Sequence, residues 1–580
     1  MPVIRVLSRL LLCVLLGTGP AHALTVEVEA PEELEPLLTQ YLEAARAARS
    51  GEVLDEAEVA RLRGVSEQTA RELLATEGYF SPRVDSTLTR VENDWVLRYA
   101  VTPGPRTQVR SVKIDFAGAL ADAGEAGARL RVRAERGFTL QPEMPFRQAD
   151  WDAAKLAVLR PLLSVRYPSA RLAASEARID PATRSADLKV TVDSGPAFFY
   201  GRPVISGTQR YPESVARNLS PMKPGQPYRQ QDLLDYQMAL EMSGYFAQAT
   251  VRIETDPALA SAVPVRVEVV EHPEKRFSVG AGISTDTGAR VQAAWLHRNI
   301  LDRAMRLELD ARLETARQTG AIQLAWPRNA KGYENSLGLQ LKEEDIEGQE
   351  TRVSVLAAKR NRKRGEIDST VSLQYQTEQQ TIAQALDVNN QALIANYSWT
   401  QRAVGRAFYP RRGYVLTLQG GGAAEALLSD TSFIRLYGRH THYFRAGDNG
   451  RLVLRGELGS VLADTRDGIP TDFLFRAGGD NSVRGYAYQS LGRALDGGVA
   501  SVRYLATGSV EYNYFFDQKW GMALFVDAGD AADSAGDLSP AFGYGVGARY
   551  RSPVGPINLD LAYGEATDEL RLHFSLGVSF

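Results

Sequence analysis

The 580-residue chain carries 67 Lys and Arg against 70 Asp and Glu, interleaved rather than blocked. A formal net charge of -3 removes the broad basic field of a nucleic-acid binder, and the length calls for several domains. No run between Phe277 and Phe580 approaches the roughly 18 consecutive apolar residues of a membrane-spanning helix.

In chain order, the first predicted element is a secretory signal. Arg5 and Arg9 form its charged region, Leu10 to Leu16 its apolar core, and Ala21-His22-Ala23 its small-residue cleavage pattern. Cleavage is expected after Ala23. The only cysteine, Cys13, lies inside the removed segment, and Leu11-Leu12 before it lack the small residue that precedes a lipidated cysteine. The mature chain is therefore expected to contain no cysteine, which suits an oxidising compartment.

A repeat follows. Gly78-Tyr79-Phe80, Arg166-Tyr167-Pro168 and Gly244-Tyr245-Phe246 each end a helical stretch and open an extended one. Gly104-Pro105 and Gly195-Pro196 mark turns before further strands such as Val109 to Phe116. The unit reads strand, helix, helix, strand, strand. Leu34, Leu37, Leu38 and Leu42 form a helical stripe in the first unit, and Leu233, Leu234, Tyr236, Met238 and Leu240 form one in the third. These stripes and the three tyrosines read as core. The exposed strand edges are the surfaces open to strand addition. The expected divisions are residues 24–104, 105–196 and 197–273.

From residue 274 to Phe580 strands and Gly-rich turns dominate. Met305, Leu307, Leu309, Ala311 and Leu313 alternate with charged residues; Val371, Leu373 and Tyr375, then Leu393, Ala395, Tyr397 and Trp399, repeat the pattern. The last eleven residues, Leu570 to Phe580, alternate without a break. Two-residue periodicity places the apolar set on one strand face, at lengths that match tilted strands crossing a bilayer. A soluble sandwich shares the alternation. With a secretory signal and no apolar helix, a closed antiparallel barrel is the remaining way to satisfy every backbone group in lipid.

Gly478-Gly479-Asp480-Asn481-Ser482-Val483-Arg484-Gly485-Tyr486 resembles the signature loop of the Omp85 superfamily, and the preceding repeats resemble its polypeptide-transport-associated (POTRA) domains. Phe525-Val526-Asp527-Ala528-Gly529 resembles the superfamily's later strand motif. Gly543, Gly545, Gly547, Arg549, Ser552-Pro553-Val554-Gly555-Pro556 and Asp560 follow its terminal pattern. Tyr409-Pro410-Arg411-Arg412-Gly413 resembles a Pro-x-x-Gly strand entry. Leu301-Asp302-Arg303-Ala304-Met305 stands where a Gly-His pair is expected at the first hairpin turn. The resemblance implies three α+β POTRA repeats followed by an antiparallel transmembrane β-barrel of 16 strands. Three repeats, with Val279 to Gly288 and Leu505 to Tyr512, point to the TamA family within the superfamily.

What the resemblance implies about function follows residue by residue. Val483, Arg484, Gly485 and Tyr486 fold into the barrel interior, with Asp527 as the partner of Arg484. A buried guanidinium needs an anionic or carbonyl partner to offset its desolvation. A lateral seam between the first and last strands, with Gly280, Gly282, Gly577 and Phe580, would take up strands of client barrels; the glycines weaken pairing and permit kinks, or allow tight packing. The implied partners are a TamB-like inner-membrane-anchored protein, nascent outer-membrane β-barrel clients such as autotransporters, and outer-membrane lipid. The implied location is the outer membrane of a Gram-negative bacterium, with the repeats in the periplasm. A two-partner secretion pore, a general assembly factor of the BamA type and a passive channel are the alternatives. No Gly-x-Ser-x-Gly elbow is present, and His440 and His442 read as a solvated or lumen-facing pair rather than a metal site. We expect no enzyme activity and no cofactor.

Overall fold

The computed structural model describes residues 24–576 except 52–53, 93, 383–387, 406–408, 496 and 554. The signal segment, Gly577 and Phe580 thus lie outside the described residues.

Three α/β repeats precede the barrel, each with a three-stranded sheet. In the first, Leu24–Glu29 runs parallel to Asp94–Thr102, which pairs antiparallel with Arg83–Val91. In the second, Gln108–Ala117 runs parallel to Ser185–Asp193, and Arg171–Asp180 pairs antiparallel on its other side. The third sheet orders Tyr200–Ser206, Val263–Glu271 and Phe246–Ile253. Alternation drives the central strands: Trp95, Leu97, Tyr99 and Val101 all turn into the first core. The long helix Glu56–Thr76 adds Val59, Leu62, Ala70 and Leu74 at helical spacing, and the Asp55 carboxylate accepts from the Glu58 N–H to cap it. Tyr79, Tyr167 and Tyr245 each follow the last helix of a repeat and are buried. Gly78 and Gly244 precede two of them with positive φ; Arg166 adopts the same left-handed turn in the second repeat without being glycine.

The chain divides into two compact units, and the boundary runs through the third repeat. Ile205–Pro221, Tyr236–Thr250 and everything from Val267 belong with the barrel. Within this unit, the Tyr245 hydroxyl donates to the Ala304 carbonyl oxygen at 2.5 Å, and Arg298 donates to the Gly244 and Pro273 carbonyls.

The barrel is a 16-stranded antiparallel sheet from Lys275–Ser284 to Glu569–Leu576. Its outward face carries the apolar set read from the sequence, including Leu309, Leu313, Leu373, Leu559 and Leu572. Among the described residues, no helix is long and apolar enough to cross a membrane. Among the described residues, the first and last strands each pair with one neighbour only, so the barrel is nearly closed and retains a seam. The stretch from Val279 to Gly288 is more than one strand: the first strand ends at Ser284 and the second begins at Gly288. Leu301–Ala304 accordingly forms the second hairpin turn, in which Leu301, Asp302 and Ala304 take positive φ without glycine.

One long connection, from Leu462 to Tyr504, folds into the barrel. Its Ile469, Phe473, Phe475, Ala477 and Val502 form an apolar cluster with Ile394, Phe433 and Val461 of the wall. Ionic and polar contacts with other strands fix it further. Glu378 accepts from the Thr471 N–H and hydroxyl, Lys342 pairs with Asp472, and Arg317 donates to the Tyr488 hydroxyl.

Candidate functional site

The end of this connection carries the Val-Arg-Gly-Tyr segment. Val483, Arg484 and Tyr486 are buried, Arg484 being 4% exposed. Gly485 has φ +97°, and a Cβ there would lie 2.8 Å from the Tyr563 backbone, so both its conformation and its contact require glycine. The loop rests on a smooth track made by alternate inward positions of the strand Ala541–Ser552. A Cβ at Gly543 would overlap the Arg484 carbonyl oxygen, and one at Gly547 would overlap the Asp560 carboxylate. Tyr486 closes the segment: its hydroxyl donates to the Phe542 carbonyl and accepts from the Ala566 N–H, both at 3.0 Å.

Arg484 meets Asp527, its expected partner, in a two-pronged pair of 2.7 and 3.0 Å, and the Arg484 N–H donates to the same carboxylate at 3.1 Å. Asp527 is 0% exposed. The guanidinium lies over the Phe525 ring, 3.4 Å from its centre. Sequence reasoning assigned no role to the rest of the network. Arg484 Nη1 also donates to Glu511 at 2.7 Å and to Asp560 at 3.0 Å, while Arg549 pairs with the same two carboxylates and donates to Asn513. Two guanidiniums and three carboxylates therefore share one desolvated cluster, in which each charge has hydrogen-bonded partners of opposite sign. Parity was the available signal, because Glu511, Asp527, Arg549 and Asp560 all occupy inward positions of their strands.

A second cluster joins the loop to the seam. Asp480 accepts from His573 Nδ1 at 2.6 Å and from the Thr285 hydroxyl, while its N–H donates to Asp286. The Gly485 N–H donates to His573 Nε2 at 3.0 Å, and the Phe574 N–H donates to the Thr285 hydroxyl oxygen at 3.1 Å. The turn after the first strand and the last strand are thus clasped through side chains where, among the described residues, no strand pairing joins them. Asp286, Asp480 and His573 also place ligand atoms within 4.8 Å of one another. However, Nε2 accepts from Gly485, so the ring proton sits on Nδ1 and is used by Asp480. A metal on either nitrogen would cost one of these bonds, and the donor set fits a hydrogen-bonded clasp better. Burial, followed by the neighbouring Asp480 carboxylate, pushes the Asp286 carboxyl up to about 7.

One expectation is corrected, and for two glycines the structure favours one of the two alternatives. His440 and His442 share the outward parity of Ile434 and Leu436, and His442 stacks on Phe444 with centroids 4.1 Å apart, so the pair is on the outer wall, not in the lumen. Gly280 and Gly282 do not kink their strand: pairing runs through both without a shift, and neither has positive φ. They instead make room for Gln292 and Arg290 on the second strand, whose side chains would crowd a Cβ at 3.1 and 3.3 Å.

Comparison with known proteins agrees with this architecture. The Omp85 superfamily domain matches residues 274–580, and the POTRA surface-antigen variable-number repeat matches residues 199–272. Outer envelope protein 80 of Arabidopsis thaliana chloroplasts is 34% identical over 107 residues, a match spanning 18% of this chain and 14% of that protein's length. Among solved structures, BamA from Haemophilus ducreyi lacking POTRA domains 1–3 shares the fold at a TM-score of 0.60 and 14% identity, covering 80% of this chain and 98% of that one. CdiB from Escherichia coli gives a looser likeness, with a TM-score of 0.45 and 11% identity over 90% of this chain and 97% of that one.

Proposed function

The chain belongs to the Omp85 superfamily, and from that premise we propose that it is the outer-membrane subunit of a translocation and assembly module of the TamA type, which inserts β-barrel clients such as autotransporters. The three α/β repeats, with divisions at residues 24–104, 105–196 and 197–273, are read as three POTRA domains in the periplasm of a Gram-negative cell. A TamB-like inner-membrane-anchored protein is the partner assigned to them.

The observation that carries this reading is the seam. The first strand, Lys275–Ser284, and the last, Glu569–Leu576, each present an edge without a backbone partner among the described residues. An arriving client strand must satisfy its N–H and C=O groups before it meets hydrocarbon, and such an edge offers the complementary row. The work is strand exchange at a templating edge, driven by backbone satisfaction and apolar burial; no bond-making group is assigned. The Arg484 loop holds the interior side of the wall adjoining that edge and sets its shape.

The test is insertion of an autotransporter barrel into liposomes containing the purified protein, comparing wild type with Arg484→Ala refolded to the same heat-modifiable barrel. Acceleration by wild type and not by the variant supports the reading. Insertion no faster than in empty liposomes, accompanied by leakage of small solutes, refutes it in favour of a channel.

A further inference from the structure

Inside the barrel lies a cavity of about 890 Å³. Its wall carries eight arginines against four carboxylates. All four carboxylates are engaged: Asp286 and Asp480 in the clasp, Glu511 and Asp560 with Arg484 and Arg549. Arg290 has Glu314 at 3.7 Å. Arg312, Arg439, Arg451 and Arg455 make no ion pair among the described residues. Arg451 donates to the Pro410 carbonyl and Arg455 to the Ser482 carbonyl, and the Nε atoms of Arg312, Arg439 and Arg451 are buried without a hydrogen-bond partner.

Arg439 and Arg455 are close. Arg451 and Arg455 occupy the same face of one strand, and Arg455 pairs in register with Thr441, which puts Arg439 at the next inward position of the adjacent strand. Such diagonal neighbours are about 7–8 Å apart, within reach of long side chains. Glu457 stands opposite Arg439 in register but its carboxylate accepts from the Tyr437 hydroxyl, and half-buried guanidiniums that outnumber the carboxylates left to pair with them are stabilised when an anion joins them. Phosphate suits them best: it brings up to two charges and three acceptor oxygens, so forks from two strands can hold one group.

We propose that this chamber binds a phosphate group, carried by a lipid headgroup or as the free ion. The opposite wall is the seam itself, where Ile283, Phe574 and Leu576 line the same cavity. An amphiphile could therefore set its phosphate on the arginines and its chains toward the gap between the end strands. The inference stands apart from the client-insertion reading, since it concerns what the chamber binds and not what the edge templates.

The experiment uses the full-length protein, delipidated in neutral detergent, and isothermal titration with two probes: inorganic phosphate at constant ionic strength, and dioctanoyl phosphatidic acid in mixed micelles. The expected result is saturable one-to-one binding of at least one probe, weakened at least tenfold in Arg439→Gln/Arg455→Gln and unchanged in Arg402→Gln, whose guanidinium pairs with Asp368. Binding of the lipid alone assigns the headgroup, and binding of inorganic phosphate alone assigns the free ion. The heat-modifiable band reports whether each variant barrel has folded. If the double variant fails to fold, Arg439→Gln alone replaces it, with an expected weakening of at least threefold. The proposal is overturned if neither probe binds or if the variants bind like wild type.

Discussion

Truncating Arg484 while keeping its carboxylates tests whether the lumen cluster is an integrated unit. In Arg484→Ala, Asp527 loses the two-pronged pair at 2.7 and 3.0 Å, while Glu511 keeps Arg549 and the Asn513 amide and Asp560 keeps Arg549. Asp527 is fully buried, so its charge cannot be recovered by water. Breaking one side of such a pair costs about 3–5 kcal/mol. Asp527→Ala strands the guanidinium less severely, because Glu511 and Asp560 still hold Nη1; about 2–3 kcal/mol is expected. The double variant removes the charge and its partner together, so its cost should fall short of the sum of the single costs by about 2 kcal/mol. Denaturant unfolding in lipid vesicles, followed by the heat-modifiable band, measures all four forms. Additivity within about 0.5 kcal/mol would refute the reasoning.

Three further outcomes are expected. Gly543→Ala places a methyl group on the Arg484 carbonyl; the loop should leave its track while the barrel stays folded, which limited trypsin cleavage at Arg484 would reveal. Tyr245→Phe removes the bond from the third repeat to the Ala304 carbonyl, at about 1 kcal/mol, read as a lowered unfolding midpoint. Because the Asp286 carboxyl is raised to about 7, above the roughly 3.9 of an unfolded aspartate, the folded state holds an extra proton between those values. The clasp is therefore strongest below the unfolded value and weakens as pH rises through 7. Hydrogen exchange at residues 479–486, corrected for intrinsic rates, should show more protection at pH 6 than at pH 8, and Asp286→Asn should abolish the difference.

The architecture was largely legible because two-residue alternation is local: Leu307, Leu309 and Leu313 declare their face without reference to any partner strand. The Arg484–Asp527 pair was legible through motif resemblance. Parity also held information that the sequence reading left unused. His440 and His442 share the even positions of Ile434 and Leu436, which already places them on the outer wall. The clasp was not legible, because Asp286, Asp480 and His573 come from widely separated segments and meet only once the loop folds inward. Glycine was ambiguous for a physical reason. Missing side chains at Gly280 and Gly282 could loosen a strand or admit a neighbour, and only the pairing to Gln292 and Arg290 decides between these.

The central claim is that clients enter through the seam, and a disulfide across it tests this most directly. With Cys13 in the expected signal segment as the only natural cysteine, Thr285→Cys/Phe574→Cys would introduce a single pair where the two segments already touch. Reconstituted in liposomes, the oxidised form should lose client insertion and regain it on reduction. Undiminished insertion by fully crosslinked protein would contradict the account.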